Sequence, residues 1–171
     1  MERSCKAKVA LAAAAIAVAV AGVVTGVVAQ SVAPPEIVYG QTRCSNAPCK
    51  MIIKDPEHAA AMVAADGNHA FCDIGCLLVY LKTRHPEGEN VVATFVRDWP
   101  SQEWVEARTA VYVRTDIRTP MRYGLIAFKD SHAAAEYAAE HNGEVLGFKE
   151  ATHYVMTERA KRMGGSGGHE H

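Results

Sequence analysis

The chain has 171 residues, a formal charge of −1 and 49% hydrophobic side chains, with acidic and basic residues mixed along its length. No basic stripe or block stands out, which argues against nucleic acid as a partner. Once an apolar N-terminal run is set aside, about 135 residues remain, room for one domain or two very small ones.

That run comes first in the chain. Residues 1–8 carry Arg3, Lys6 and Lys8 against Glu2, and residues 9–29 hold no charge at all. A positive flank before such a run is the pattern of a secretory signal or an N-terminal membrane anchor. Its 21 residues reach the roughly 20 that span a bilayer and exceed the roughly 7–15 of a signal's apolar region. A retained anchor is therefore the expectation, although the small Val27 and Ala29 leave cleavage after Ala29 open. Cys5 precedes the run, so lipidation at a processed cysteine is not expected. Either way the remainder is exported, which places the protein on the extracytoplasmic, periplasmic side of a membrane.

Residues 31–46, with Pro34, Pro35 and Gly40, read as a linker. Next come two short extended segments, "MIIKD" and "AAAMVAADG", and Asp66-Gly67 signals a turn before the returning strand "NHAFC". Asp73 is a good N-cap, with Ile74, Leu77, Leu78 and Leu81 at helical spacing behind it, and His85-Pro86 ends that helix. "NVVATFV" reads as a strand. The order then recurs: strands at "RTAVYVR" and "YGLIAF" flank a turn at Thr119-Pro120, and Asp130 or Ser131 caps a helix that Asn142-Gly143 stops. "EVLGF" closes the second set. A shift of 57 residues aligns Ala70, Phe71, Asp73 and Tyr80 with Ala127, Phe128, Asp130 and Tyr137. The expected fold class is α+β, two small tandem ββαβ units at 47–98 and 99–155 after a segment 1–30, with a flexible tail at 156–171.

Four cysteines lie outside the anchor: Cys44, Cys49, Cys72 and Cys76. An exported compartment permits two disulfides in any of three connectivities. Cys76 falls in the first turn of a helix, where the N-terminal N–H groups lower a thiol's pKa and favour the thiolate that binds metals. Cys72 and Cys76 belong to the half that bears the chemistry, since the second unit has Lys129 and Ala133 in their places. The spacing of Cys49, Cys72 and Cys76 resembles that of the treble-clef modules called TRASH or YHS domains. There a knuckle, a hairpin end and a helix's first turn aim their sulfurs at one point.

A broader resemblance runs through "PCKMII", "HAFCDIGCLLVYL", "FVRDW", "WVEARTAVYV" and "TPMRYGLIAFKDSHAAAEYAAEHNGEVLGF". These segments resemble the NosL family of membrane-attached accessory proteins, which supply copper for the maturation of nitrous-oxide reductase. The resemblance implies Cu(I) bound by a Cys-Gly-Met step and a further methionine, matched here by Cys49, Met51 and Met121. It also implies copper-transfer partner proteins and no enzymatic activity. Lys50 replaces the family's usual glycine, and no lipoprotein cysteine is present. Thiolate and thioether are soft donors suited to Cu(I), and alternation along an extended segment puts Cys49 and Met51 on one side.

The metal-ligating candidates are thus Cys49, Met51, Met121, Cys72 and Cys76, with Cu(I) as the ion and zinc as a second ion for the cysteine cluster. Cys72 and Cys76 either join Cys49 or Cys44 in a structural metal site or pair as a disulfide. Met62 reads as core, His69 and His132 as surface or satisfied histidines, Trp99 and Trp104 as core or rim, and His169 and His171 as a poor site on a glycine-rich tail. No Ser-His-Asp order, paired catalytic carboxylates or phosphate loop is present. Two other functions compete with copper carriage. One is a thiol–disulfide enzyme at Cys72 and Cys76, against which stand three intervening residues where two are usual. The other is a zinc module for protein contacts, in which Met51 and Met121 are idle.

Overall fold

Asp66 and Gly67 do reverse the chain. In the computed structural model, which describes residues 32–164, β1 (Ala60–Ala64) pairs antiparallel with β2 (Gly67–Phe71), Ala64 opposite Gly67. Gly67 has φ +133°, a backbone that side chains with a Cβ rarely adopt. The anchor or signal assigned to 1–30 and the histidines of the C-terminal tail lie outside the described residues. Among those residues, no helix is long and apolar enough to cross a membrane.

After β2, Asp73 caps α1 (Ile74–Arg84) by accepting the N–H of Gly75. Lys82 and Arg84 occupy the helix's last turn, where cations favour the dipole. The chain returns as β3 (Val91–Arg97), which pairs with β1 on the side away from β2. β4 (Trp104–Glu106) adds to β3, so the first sheet has the order β2-β1-β3-β4. β4 comes from the stretch assigned to the second unit, yet it completes the first sheet.

The second set repeats the arrangement with shorter pieces. β5 (Val111–Arg114), β6 (Leu125–Phe128), α2 (Ser131–Glu140) and β7 (Glu144–Leu146) give a sheet ordered β6-β5-β7, the counterpart of β2-β1-β3. Asp130 caps α2 through Ala133 N, as Asp73 caps α1. The two sheets meet where the chain leaves β3. Trp99 N donates to Ala127 O, and the buried Asp98 accepts Lys129 N with one oxygen and Ser101 N with the other. Burial pulls the Asp98 carboxyl up, but the Ser101 hydroxyl and these N–H groups outweigh it and hold it below its usual value. The described residues thus form a mixed α+β fold of two small sheets and three α-helices.

Two boundaries differ from the sequence reading. The linker 31–46 is packed against the domain from Ile37 onward: Ile37, Cys44 and Asn46 are buried, and Arg43 bridges to Ile52. "MIIKD" contributes only that bridge rather than a strand. The tail expected from 156 is helical as far as Gly164, as part of α3 (Phe148–Gly164). Only Ala151 and Val155 of α3 are buried, so its apolar stripe is too thin to show as a period. Met62 is fully buried in the core, beside Phe71, Leu77 and Leu78.

Candidate metal centre

The centre begins with a small hairpin. Cys44 N donates to Met51 O (2.8 Å) and Ile53 N to Thr42 O (2.9 Å), which brings 42–44 alongside 51–53. The loop between them closes when Cys49 N and Lys50 N both donate to Asn46 O. Lys50 has φ +51°, the left-handed region that favours glycine. Ser45 then stitches the loop to β2: its N–H donates to Ala70 O, and Ala70 N donates to its hydroxyl. Cys44 and Cys49 are thereby held beside the strand that ends at Cys72.

From that strand end, the Asp73 cap starts α1 and places Cys76 in its first turn. The four sulfurs all lie within 4.8 Å of one another. Cys49 Sγ is 3.4 Å from Cys72 Sγ, and Cys72 Sγ is 3.9 Å from Cys76 Sγ. No disulfide joins them, and Cys44, Cys72 and Cys76 are buried while Cys49 is half-buried. Cys44, expected only as an alternative to Cys49 beside Cys72 and Cys76, stands in the cluster together with Cys49.

A fifth sulfur comes from the second half of the chain. Met121 Sδ lies 3.6 Å from Cys49 Sγ, on a tight turn closed by Arg122 N donating to Thr119 O. Three contacts hold that turn. Asp73, 1% exposed, accepts Met121 N on Oδ2 (2.9 Å) while its Oδ1 accepts Gly75 N (2.6 Å), so the cap of α1 also fixes the Met121 backbone. Gly75 allows the Tyr123 ring to lie on the first turn of α1, because a Cβ there would stand 2.1 Å from a ring carbon. Arg162, near the end of α3, donates to the carbonyls of Met121 (2.8 Å) and Arg122 (2.9 Å).

Met51 is placed differently. It is 43% exposed and lines a shallow cavity of about 270 Å³ with Lys54, Asp55, Cys72 and Pro120. The alternation that was to put it beside Cys49 assumes an extended chain, and the left-handed turn at Lys50 breaks that alternation. Met51 therefore lies on the rim of the cluster.

Proton affinities within the cluster depart from the helix-terminus argument. Cys44 is the acidic thiol, held far below the usual range by the Cys72 and Cys76 thiols packed beside its sulfur. Cys76 is pushed up, first by Cys44, then by Cys72 and by burial, despite its place at the start of α1. Cys72 is raised in the same way by Cys44. A metal takes its cysteine ligands as thiolates, so a bound positive charge favours deprotonation of the cluster.

The remaining candidates lie elsewhere. His69 pairs with Asp66 (3.1 Å) and packs on Tyr80, and His132 faces Glu136 on the surface of α2. The equivalent corner of the second half holds Lys129, which reaches out to Glu103 (2.7 Å), and Ala133.

A model of the NosL family matches residues 38–156. No curated protein matches the chain. Among solved structures, a crystal structure of the copper chaperone NosL from Shewanella denitrificans superposes with a TM-score of 0.58 at 20% sequence identity. The superposition covers 69% of this chain and 94% of that one. At this identity the likeness speaks to the fold.

Proposed function

The chain belongs to the NosL family, and from that premise we propose that it is a carrier of Cu(I), tethered to a membrane through residues 9–29 and working on the extracytoplasmic side. It is a carrier and not an enzyme, since copper enters and leaves with no substrate bond broken. The observation that supports this most is the position of Cys49, whose sulfur lies 3.4 Å from a second cysteine sulfur and 3.6 Å from a thioether. A donor set made only of sulfur suits Cu(I) and disfavours hard ions.

Cys49, Met121 and the rim residue Met51 form the carrying site. One thiolate and two thioethers around Cu(I) give a neutral centre, with little electrostatic penalty for burial. Thioethers hold the ion without a proton to displace, so it passes by stepwise exchange to a partner's sulfur arriving through the cavity beside Met51 and Pro120. The acceptor is a copper enzyme in maturation, nitrous-oxide reductase by resemblance, with its assembly proteins.

The test is a Cu(I) titration of the full chain in detergent without oxygen, against a coloured chelator. About one equivalent should bind, and Met121→Leu should weaken binding about tenfold or more with an unchanged circular dichroism spectrum. If Met51→Leu and Met121→Leu both bind like the parent, copper is not carried at these residues.

A further inference from the structure

The carrying site accounts for one cysteine of the four. Cys44, Cys72 and Cys76 are buried, each less than 6% exposed, and converge on the inner side of Cys49. We propose that Cys44, Cys49, Cys72 and Cys76 are a second, closed metal site for a resident divalent ion of the zinc class. Cys49 is the one sulfur shared with the copper cargo. The sharing, though not the closed site itself, rests on the reading of Cys49 as a copper ligand.

The dimensions fit. Tetrahedral zinc binds thiolate at about 2.3 Å, which sets neighbouring sulfurs about 3.8 Å apart. The observed separations of 3.4 and 3.9 Å, with every pair inside 4.8 Å, bracket that value. A tetrahedral set of four sulfurs is characteristic of zinc or iron–sulfur sites. Structural zinc sites are closed by four protein ligands, whereas a site that must exchange a ligand keeps a position open. Here the closed part is the four cysteines, and the open part is the outer face of Cys49 toward Met121 and Met51.

The placement in the chain supports a resident ion too. Two sulfurs come from the 42–53 hairpin and two from the corner of β2 and α1, so one ion crosslinks segments held otherwise by a few backbone bonds. The second half of the chain ties its equivalent corner with a carboxylate: Asp98 binds Lys129 N there. Four thiolates around a divalent ion carry a net charge of −2. Cations sit on the segments that carry these sulfurs or Met121: Arg43, whose Nη1 reaches Lys50 O, Lys54 on the cavity wall shared with Cys72, and Arg162 over the Met121 turn. Core-filling cysteines have no reason to point four sulfurs at one centre.

The full chain, expressed with zinc and without added copper and purified without oxygen, should contain about one zinc per chain by elemental analysis. Replacement of that ion by Co(II) should give the intense ligand-field and sulfur charge-transfer absorption of a tetrahedral thiolate site. This measurement needs no variant and so does not depend on whether Cys44→Ser or Cys76→Ser folds. Where they fold, those two variants should lose the zinc and Met121→Leu should keep it. One Cu(I) should then bind with zinc retained, as read by a zinc indicator. Zinc released one for one as copper binds overturns the proposal, because the four cysteines are then the copper site. Iron in place of zinc overturns it as well, and so do four thiols that react freely in the protein as purified. Zinc retained with no copper uptake upholds the closed site and removes the carrier reading.

Discussion

Asp73 gives the sharpest single test, because one buried carboxylate performs two tasks. Its Oδ1 caps α1 through Gly75 N, and its Oδ2 holds Met121 N at 2.9 Å. In Asp73→Asn the carbonyl oxygen still caps the helix, since Asn and Asp are equally good N-caps. The amide NH₂ then faces Met121 N–H, donor against donor. Loss of a hydrogen bond to a charged group costs about 1.5–3 kcal/mol. At roughly 3–5 °C per kcal/mol for a domain of this size, the melting temperature should fall by about 5–15 °C. Asp73→Ala removes the cap as well, for about 1 kcal/mol more. Copper affinity should fall with the tie, because Met121 must be ordered again on binding. Fixing one residue's backbone costs about 1–2 kcal/mol, close to a tenfold weaker Kd. Thermal melts followed by circular dichroism and Cu(I) competition supply both numbers. Asp130→Asn is the control, since Asp130 caps α2 through Ala133 N (2.8 Å) far from any sulfur ligand. It should change the melting temperature by no more than about 2 °C, well under 1 kcal/mol. If Asp73→Asn melts and binds copper as the parent does, the claim that this carboxylate fixes Met121 is wrong.

Three more outcomes follow from the same geometry. Lys50→Gly should raise the melting temperature slightly, because a left-handed L-residue costs about 1–2 kcal/mol and glycine returns about 0.5–1 kcal/mol of that as unfolded-state entropy; a lower melting temperature would contradict the assigned φ. Gly75→Ala should cost about 1–3 kcal/mol by overpacking against Tyr123 and weaken copper binding as the Met121 turn shifts, so parental melting and binding would show that Tyr123 does not press on this corner. Asp98 sets an acid limb: its folded pKa is depressed, so its stabilisation is complete above the unfolded value of about 3.9 and is lost as pH falls through that value toward the folded one. Urea melts from pH 6 to pH 3 should show Asp98→Asn flattening this limb; an undiminished acid slope in the variant would assign it to other groups.

Much of this protein was legible from local chemistry. Asp73 and Asp130 announce their helices because a carboxylate before an apolar helical run satisfies the first N–H groups, and both cap as expected. The ββαβ order was visible twice because apolar alternation and Gly, Pro and Asn stops are local signals. Cys72 and Cys76 were legible as a pair because a strand end and a first helical turn fix their separation. Tertiary packing decided the rest. Residues 31–46 have the composition of a linker, and only pairing with 51–53 and Ala70 turns them into a loop that delivers Cys44. Two buried residues over the 17 of α3 are too few to register as a period, so the helix that brings Arg162 to the Met121 turn exists only through packing. Met51 was expected beside Cys49 by strand alternation, and one positive φ at Lys50 moved it to the rim. Cys76 is pushed up at the start of α1, because the Cys44 and Cys72 sulfurs beside it and burial outweigh a helix terminus. Local signals reach one turn or one strand along the chain. A site assembled from residues 44, 49, 72, 76 and 121 depends on contacts that no such window spans.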